Sequence, residues 1–143
     1  MTKRLGLSVL KRPTPHAPLA ALGYFLRQQD CFAPLREHVT LRCQTVLHEP
    51  HETLLDLVVS MLAECASLTQ LHTRLRPDLA LAATWGRDLL ADPSTSTRVL
   101  DAFTPASGAQ LRTAVEQIYR GTGRALPQPF HQARLCLDID LTG

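Results

Sequence analysis

The spacing of apolar and polar positions divides the chain into several short helical segments and one segment of a different period. Between residues 17 and 29, Leu19, Leu22 and Leu26, with Tyr24 and Phe25, recur as one helical face. Pro34 is placed to open a short helical turn reaching Val39, because a proline loses nothing at the first helical position. The clearest pattern spans residues 52–68. Leu54, Leu55, Val58, Val59, Leu62, Cys65 and Ala66 follow i, i+3, i+4, i+7 spacing, with Glu52 and Asp56 early, where the positive end of a helix favours acids. Leu55, Val58, Val59 and Met61 widen that surface enough to place this helix centrally in a bundle. Residues 69–75 predict a further short helix on Leu71 and Leu75.

From Asp78 onward the pattern has helix-turn-helix grammar. Asp78 can cap a helix built on Leu79, Ala80, Leu81, Ala82 and Ala83, and Gly86 suits a left-handed residue at its end. Trp85 reads as a core plug between helices. Pro93 marks the next boundary, and Ser94 or Thr95 caps a helix that runs through Phe103 and turns Val99, Leu100 and Phe103 inward. Thr104 and Pro105 interrupt it. Residues 106–119 form an amphipathic helix on Leu111, Val115 and Ile118, which Gly121, Thr122 and Gly123 stop, and Pro127 and Pro129 hold the following linker extended. Residues 134–142 then alternate with period two: Leu135, Leu137, Ile139 and Leu141 on one face, Cys136, Asp138, Asp140 and Thr142 on the other, a β-strand. The expected fold is mainly α: an arm (residues 1–16), a helical region (17–125), and a linker with a final strand (126–143).

Composition supports helices and excludes several classes. Of 143 residues, 45% are hydrophobic and only 5% aromatic, which points to helices packed through Leu and Ala. The four cysteines, Cys31, Cys43, Cys65 and Cys136, form no CxxC pair, so they do not match structural zinc; Cys65 and Cys136 read as small buried hydrophobes. The basic start leads into Pro13, Pro15 and Pro18 rather than an apolar signal segment, and no apolar run approaches the roughly 18 residues that span a bilayer. The expectation is a reduced, cytoplasmic protein with no membrane partner. Pro50 between His48 and His51 rules out an HExxH zinc helix and leaves a loop with surface histidines.

The net charge of +2 is unevenly spread. Lys3, Arg4, Lys11 and Arg12 meet no acid in the first twelve residues, and Arg112, Arg120 and Arg124 outnumber Glu116 in the last helix and the linker. Asp78, Asp88, Asp92 and Asp101 outnumber Arg87 and Arg98 between them. Basic ends on a near-neutral body are compatible with a polyanionic partner.

Two segments carry a family resemblance. Leu75-Arg-Pro-Asp-Leu-Ala-Leu81, continued by Gly86-Arg-Asp-Leu-Leu-Ala-Asp-Pro-Ser-Thr-Ser-Thr-Arg-Val-Leu100, resembles the region preceding the catalytic domain of bacterial insertion-sequence transposases. Leu137-Asp-Ile-Asp-Leu-Thr-Gly143 resembles the first strand of their DDE catalytic domain. The resemblance covers about residues 20–143. It implies an RNase H-like domain in which two aspartates and a glutamate hold two divalent metals, Mg2+ or Mn2+, for in-line displacement at phosphorus. Asp140 best matches the family's first aspartate and metal ligand, and Asp138 is the second choice. The matching second aspartate and glutamate do not occur by residue 143, so the expectation is a truncated RNase H-like domain: no metal is held and no transposition chemistry is performed by this chain alone.

The function expected from the resemblance is binding of double-stranded DNA at terminal inverted repeats, with a second copy of the chain an open partner. Ser94, Thr95, Ser96, Thr97 and Arg98 open the helix assigned to DNA, where hydroxyls and a guanidinium reach phosphates and base edges. The plainer reading makes Ser94 and Thr95 caps and Arg98 a solvated surface residue. Lys3, Arg4, Lys11 and Arg12 either track the phosphate backbone or form a solubilising terminus. Two other functions remain open: a non-catalytic transposase regulator, and a helical protein-interaction domain.

Overall fold

The computed structural model describes residues 13–43 and 48–122, and among these every regular element is a helix. The helices are α1 (Ala17–Gln28), α2 (Ala33–His38), α3 (Pro50–Leu62), α4 (Leu68–Gln70), α5 (Leu79–Thr84), α6 (Pro93–Asp101) and α7 (Pro105–Thr122), with a wide π turn (Leu71–Leu75) continuing α4. The mainly α class is as the periodicity predicts. The strand expected at residues 134–142, its linker and the basic arm through Arg12 lie outside the described residues.

Helix starts follow a common rule. α1, α2, α3 and α6 each carry a proline in their first two positions, where its fixed φ suits the helix and its missing N–H loses no bond. α3 therefore begins at Pro50, ahead of the expected Glu52, and the Glu49 N–H donates to the Glu52 carboxylate at 3.0 Å to close a capping box. Asp78 caps α5 as expected, accepting from the Leu81 N–H at 2.9 Å.

Helix ends are also shared. Asp30 (φ 47°), Glu64 (φ 56°) and Gly86 (φ 79°) adopt left-handed backbone just past α1, α3 and α5. In each, the next N–H reaches back five residues: Cys31 to Leu26, Cys65 to Ser60, and Arg87 to Ala82, at 3.2, 2.9 and 2.9 Å. Only Gly86 is visible as such a stop in the sequence. Glu64 ends α3 at Leu62, six residues before the expected boundary. In contrast, Gly121 does not stop α7, which begins at Pro105 and runs through to Thr122.

The larger core gathers Val59, Leu75, Leu81, Ala82, Trp85 and Leu90, and a second cluster joins Leu54, Leu57 and Val99. α1 packs on α5, α2 on α7, and α6 on both α3 and α4. Trp85 is the plug the sequence suggests: it is buried, its Nε1 donates to the Leu19 carbonyl at 3.2 Å, and it lies flush against Gly23. α3 is central, but its buried face differs from the expected one. Thr53, Asp56 and Ser60 are inside with Leu54, Leu57 and Val59, while Met61 and Leu62 are 72% and 50% exposed.

The helix-turn-helix grammar is not met. Residues 85–92 separate α5 from α6, longer than the three- or four-residue turn of that motif, and the two helices pack on different neighbours.

Candidate nucleic-acid interface

α6 carries the candidate DNA-contacting residues, and its cap differs from the expected one. Asp92, rather than Ser94 or Thr95, is the N-cap, with Pro93 as the first helical residue. Its Oδ1 accepts from the Thr95 N–H at 2.9 Å and the Ser94 hydroxyl at 2.6 Å, and its Oδ2 accepts from the Thr95 hydroxyl at 3.1 Å. The Ser94 hydroxyl, then the Thr95 N–H, hold the Asp92 carboxyl well below the usual carboxylate range. An aspartate outcompetes the adjacent hydroxyls for this position because its charge also meets the positive helix end.

The five predicted contact residues separate. Ser94, Thr97 and Arg98 are exposed and Thr95 is half-buried. Ser96 is fully buried, one face of α6 with Val99, so it is withdrawn from any surface contact. Its Oγ finds no hydrogen-bond partner among the described residues. The Thr97 hydroxyl donates to the Pro93 carbonyl at 2.9 Å, which leaves its oxygen lone pairs outward. Arg98 makes no ion pair among the described residues. The neighbouring segment, from α4 through the π turn, adds exposed His72 and Arg74, while Asp101 is an exposed acid on α6 itself.

The residues that hold α6 in place were not among the sequence candidates. Arg87 and Asp56 are both buried, and Arg87 Nε donates to Asp56 Oδ1 at 3.1 Å. The Ala91 N–H donates to Asp56 Oδ2 at 2.8 Å, so one carboxylate grips both ends of the connection that leads into α6. Arg87 also pairs with Glu52 at 2.7 Å, and its Nη2 meets His48 Nδ1 at 2.7 Å. Burial raises the Asp56 pKa, and the Arg87 guanidinium and Ala91 N–H offset only part of that rise. Arg76 completes the clamp by donating from Nε to the Leu90 carbonyl at 3.1 Å. The histidines are accordingly not a surface loop: His48 contacts Arg87, and His51 is half-buried in the first turn of α3. The available signal was Asp56 itself, an acid within an apolar helical run that needs a partner when buried.

A second anchor lies at the start of the described chain. Burial works against ionisation of Asp78, but hydrogen bonds from Thr14, the Leu81 N–H and His16 outweigh it and leave its pKa below the usual value. His16 Nδ1 stands 3.2 Å from the Asp78 carboxylate.

Of the remaining candidates, Lys3, Arg4, Lys11 and Arg12 lie outside the described residues, as do Arg124, Asp138 and Asp140, the two carboxylates assigned to Mg2+ or Mn2+. Arg112 and Arg120 are exposed on α7, and Arg120 pairs with Glu116 at 2.5 Å. Among the described residues no helix is long and apolar enough to cross a membrane. No family model, curated protein or solved structure matches the chain.

Proposed function

We propose that this chain is the DNA-binding region of a transposase and recognises the terminal inverted repeats of its mobile element through the exposed face of α6. One observation carries the reading. The inner face of α6 is locked by Ser96 and Val99 while Ser94 and Thr97, toward its N-terminal end, and Arg98, in its last turn, stand exposed on the outer side, where a helix lying in a groove meets base edges. Arg98 offers a planar fork of donors suited to guanine, and Thr97 offers a hydroxyl to base or phosphate. The long connection held by Arg87 and Asp56 makes this a rigidly mounted single helix rather than half of a helix-turn-helix. Charge for the phosphate backbone comes from Lys3, Arg4, Lys11 and Arg12. In this reading Asp140, with Asp138 as second choice, belongs to the catalytic strand.

The test is titration of the chain onto a labelled duplex carrying the inverted repeat and onto a shuffled duplex, both at one salt concentration. Tighter binding to the repeat supports the reading, and equal or absent binding overturns it. A helical protein-interaction domain is the second reading. It draws on an apolar groove of about 520 Å3 between α3 and α7, where Val58, Met61, Val115 and Ile118 line the walls.

A further inference from the structure

A cavity of about 580 Å3 opens between α1, α2 and the first turns of α3, away from α6 and within the size range of small-molecule sites. Its apolar wall comes from four separate parts of the chain: Leu26 of α1, Leu55 of α3, and the rings of Phe32 ahead of α2 and Trp85 just past α5, whose centroids are 6.0 Å apart.

The charges around it do not cancel. Asp30 is taken by Arg36 at 2.7 Å and Glu52 by Arg87 at 2.7 Å. Arg27 has no carboxylate partner among the described residues: its Nη1 donates to the Ala83 carbonyl at 3.2 Å, and its other donors are uncommitted there. His51 lines the same cavity with no hydrogen-bond partner among the described residues. Gly86 keeps space for the Arg27 guanidinium, since a Cβ there would stand 3.1 Å from Arg27 Nε.

We propose that this cavity binds a small amphipathic anion, its apolar body against Phe32, Leu55 and Trp85 and its carboxylate or phosphate at Arg27 and His51. The class follows from the chemistry of the lining. A neutral hydrophobe leaves the guanidinium without a counter-charge, and a bare oxyanion leaves the half-buried Phe32 and Leu55 without an apolar partner.

Trp85 is the chain's only tryptophan, so its indole N–H gives a single resonance that reports on the cavity wall. Titrating the full chain with phenyl phosphate and with phenylacetate shows which headgroup is preferred, with inorganic phosphate and benzyl alcohol as controls. The proposal expects a saturable shift of the Trp85 resonance with at least one amphipathic anion and a weaker response to both controls. Arg27→Gln, at an exposed position, should weaken that binding about tenfold, the scale of one charge-assisted hydrogen bond, without altering the benzyl alcohol response. His51→Gln should weaken it to a lesser degree. No saturable shift with either anion overturns the proposal. So does an equal response to inorganic phosphate or to benzyl alcohol, or binding that Arg27→Gln leaves unchanged in a variant whose melting temperature is preserved.

Discussion

Arg87 and Asp56, 31 residues apart in sequence, meet in the interior with the guanidinium Nε 3.1 Å from the carboxylate. The left-handed turn at Gly86 ends α5 and delivers Arg87 inward, and Asp56 projects from the middle of the central helix to receive it. The same carboxylate takes the Ala91 N–H at 2.8 Å, so the pair fixes the backbone from which α6 starts. A buried pair of this kind contributes little net stability over an apolar equivalent, yet losing one partner strands the other.

Arg87→Leu should therefore destabilise the fold by about 3–5 kcal/mol at neutral pH. The Asp56 pKa is raised in the folded chain, and removing the guanidinium raises it further. A carboxyl whose folded pKa lies above its unfolded one favours folding most at low pH, and that contribution is lost as pH rises through the folded pKa. The stability gap between Arg87→Leu and the parent should thus narrow on acidification, and adding Asp56→Asn should recover part of the loss. Denaturant melts at several pH values check this; a gap independent of pH contradicts it.

Asp92→Ala should cost about 1 kcal/mol at neutral pH, the usual worth of an N-cap. The folded pKa of Asp92 is lowered, chiefly by the Ser94 hydroxyl, so the ionised cap contributes fully above the unfolded value near ~3.9 and fades as pH falls below it. The difference between parent and variant should shrink between about pH 4 and pH 2. Asp92→Asn, which can still accept from the Thr95 N–H, should lose less and show little of this pH dependence. Thermal melts of the three chains at matched ionic strength measure both effects.

Glu64→Gly should stabilise the chain. Glu64 sits at φ 56°, where a side chain costs roughly 1 kcal/mol and glycine costs little. The gain is reduced by glycine's greater freedom in the unfolded chain, leaving a few tenths to about 1 kcal/mol. A lower melting temperature in the variant would show that the Glu64 side chain makes a contact worth more than the strain.

Much of the helical plan was legible. Asp78, Gly86, Pro34 and Pro93 act through local backbone chemistry, and each marks a helix end or start where the chain places one. Glu64 and Asp30 were not legible as stops, because a non-glycine residue seldom takes the left-handed backbone and nothing in the neighbouring sequence marks these two. The buried face of α3 was misread for a related reason: Asp56 looks like a solvent-facing acid until Arg87 is brought to it from 31 residues away. For the candidate interface, the sequence located α6 but could not divide its hydroxyls. Ser96 is turned inward and Ser94 outward by the register of the helix on α3, a packing outcome. Helix-turn-helix spacing failed because the path from α5 to α6 takes residues 85–92 and carries Leu90 and Ala91 into the interior on the way.

The most direct test of the DNA reading is the affinity of Arg98→Ala for inverted-repeat duplex set against its affinity for random duplex at the same salt. Arg98 is exposed, so the substitution leaves the fold intact and reports on the interface alone. The account predicts a loss on the repeat about 1–3 kcal/mol larger than on random DNA, the worth of a base contact. Equal loss on both would reduce Arg98 to a phosphate contact, and unchanged affinity for both duplexes would contradict the account by removing α6 from the interface.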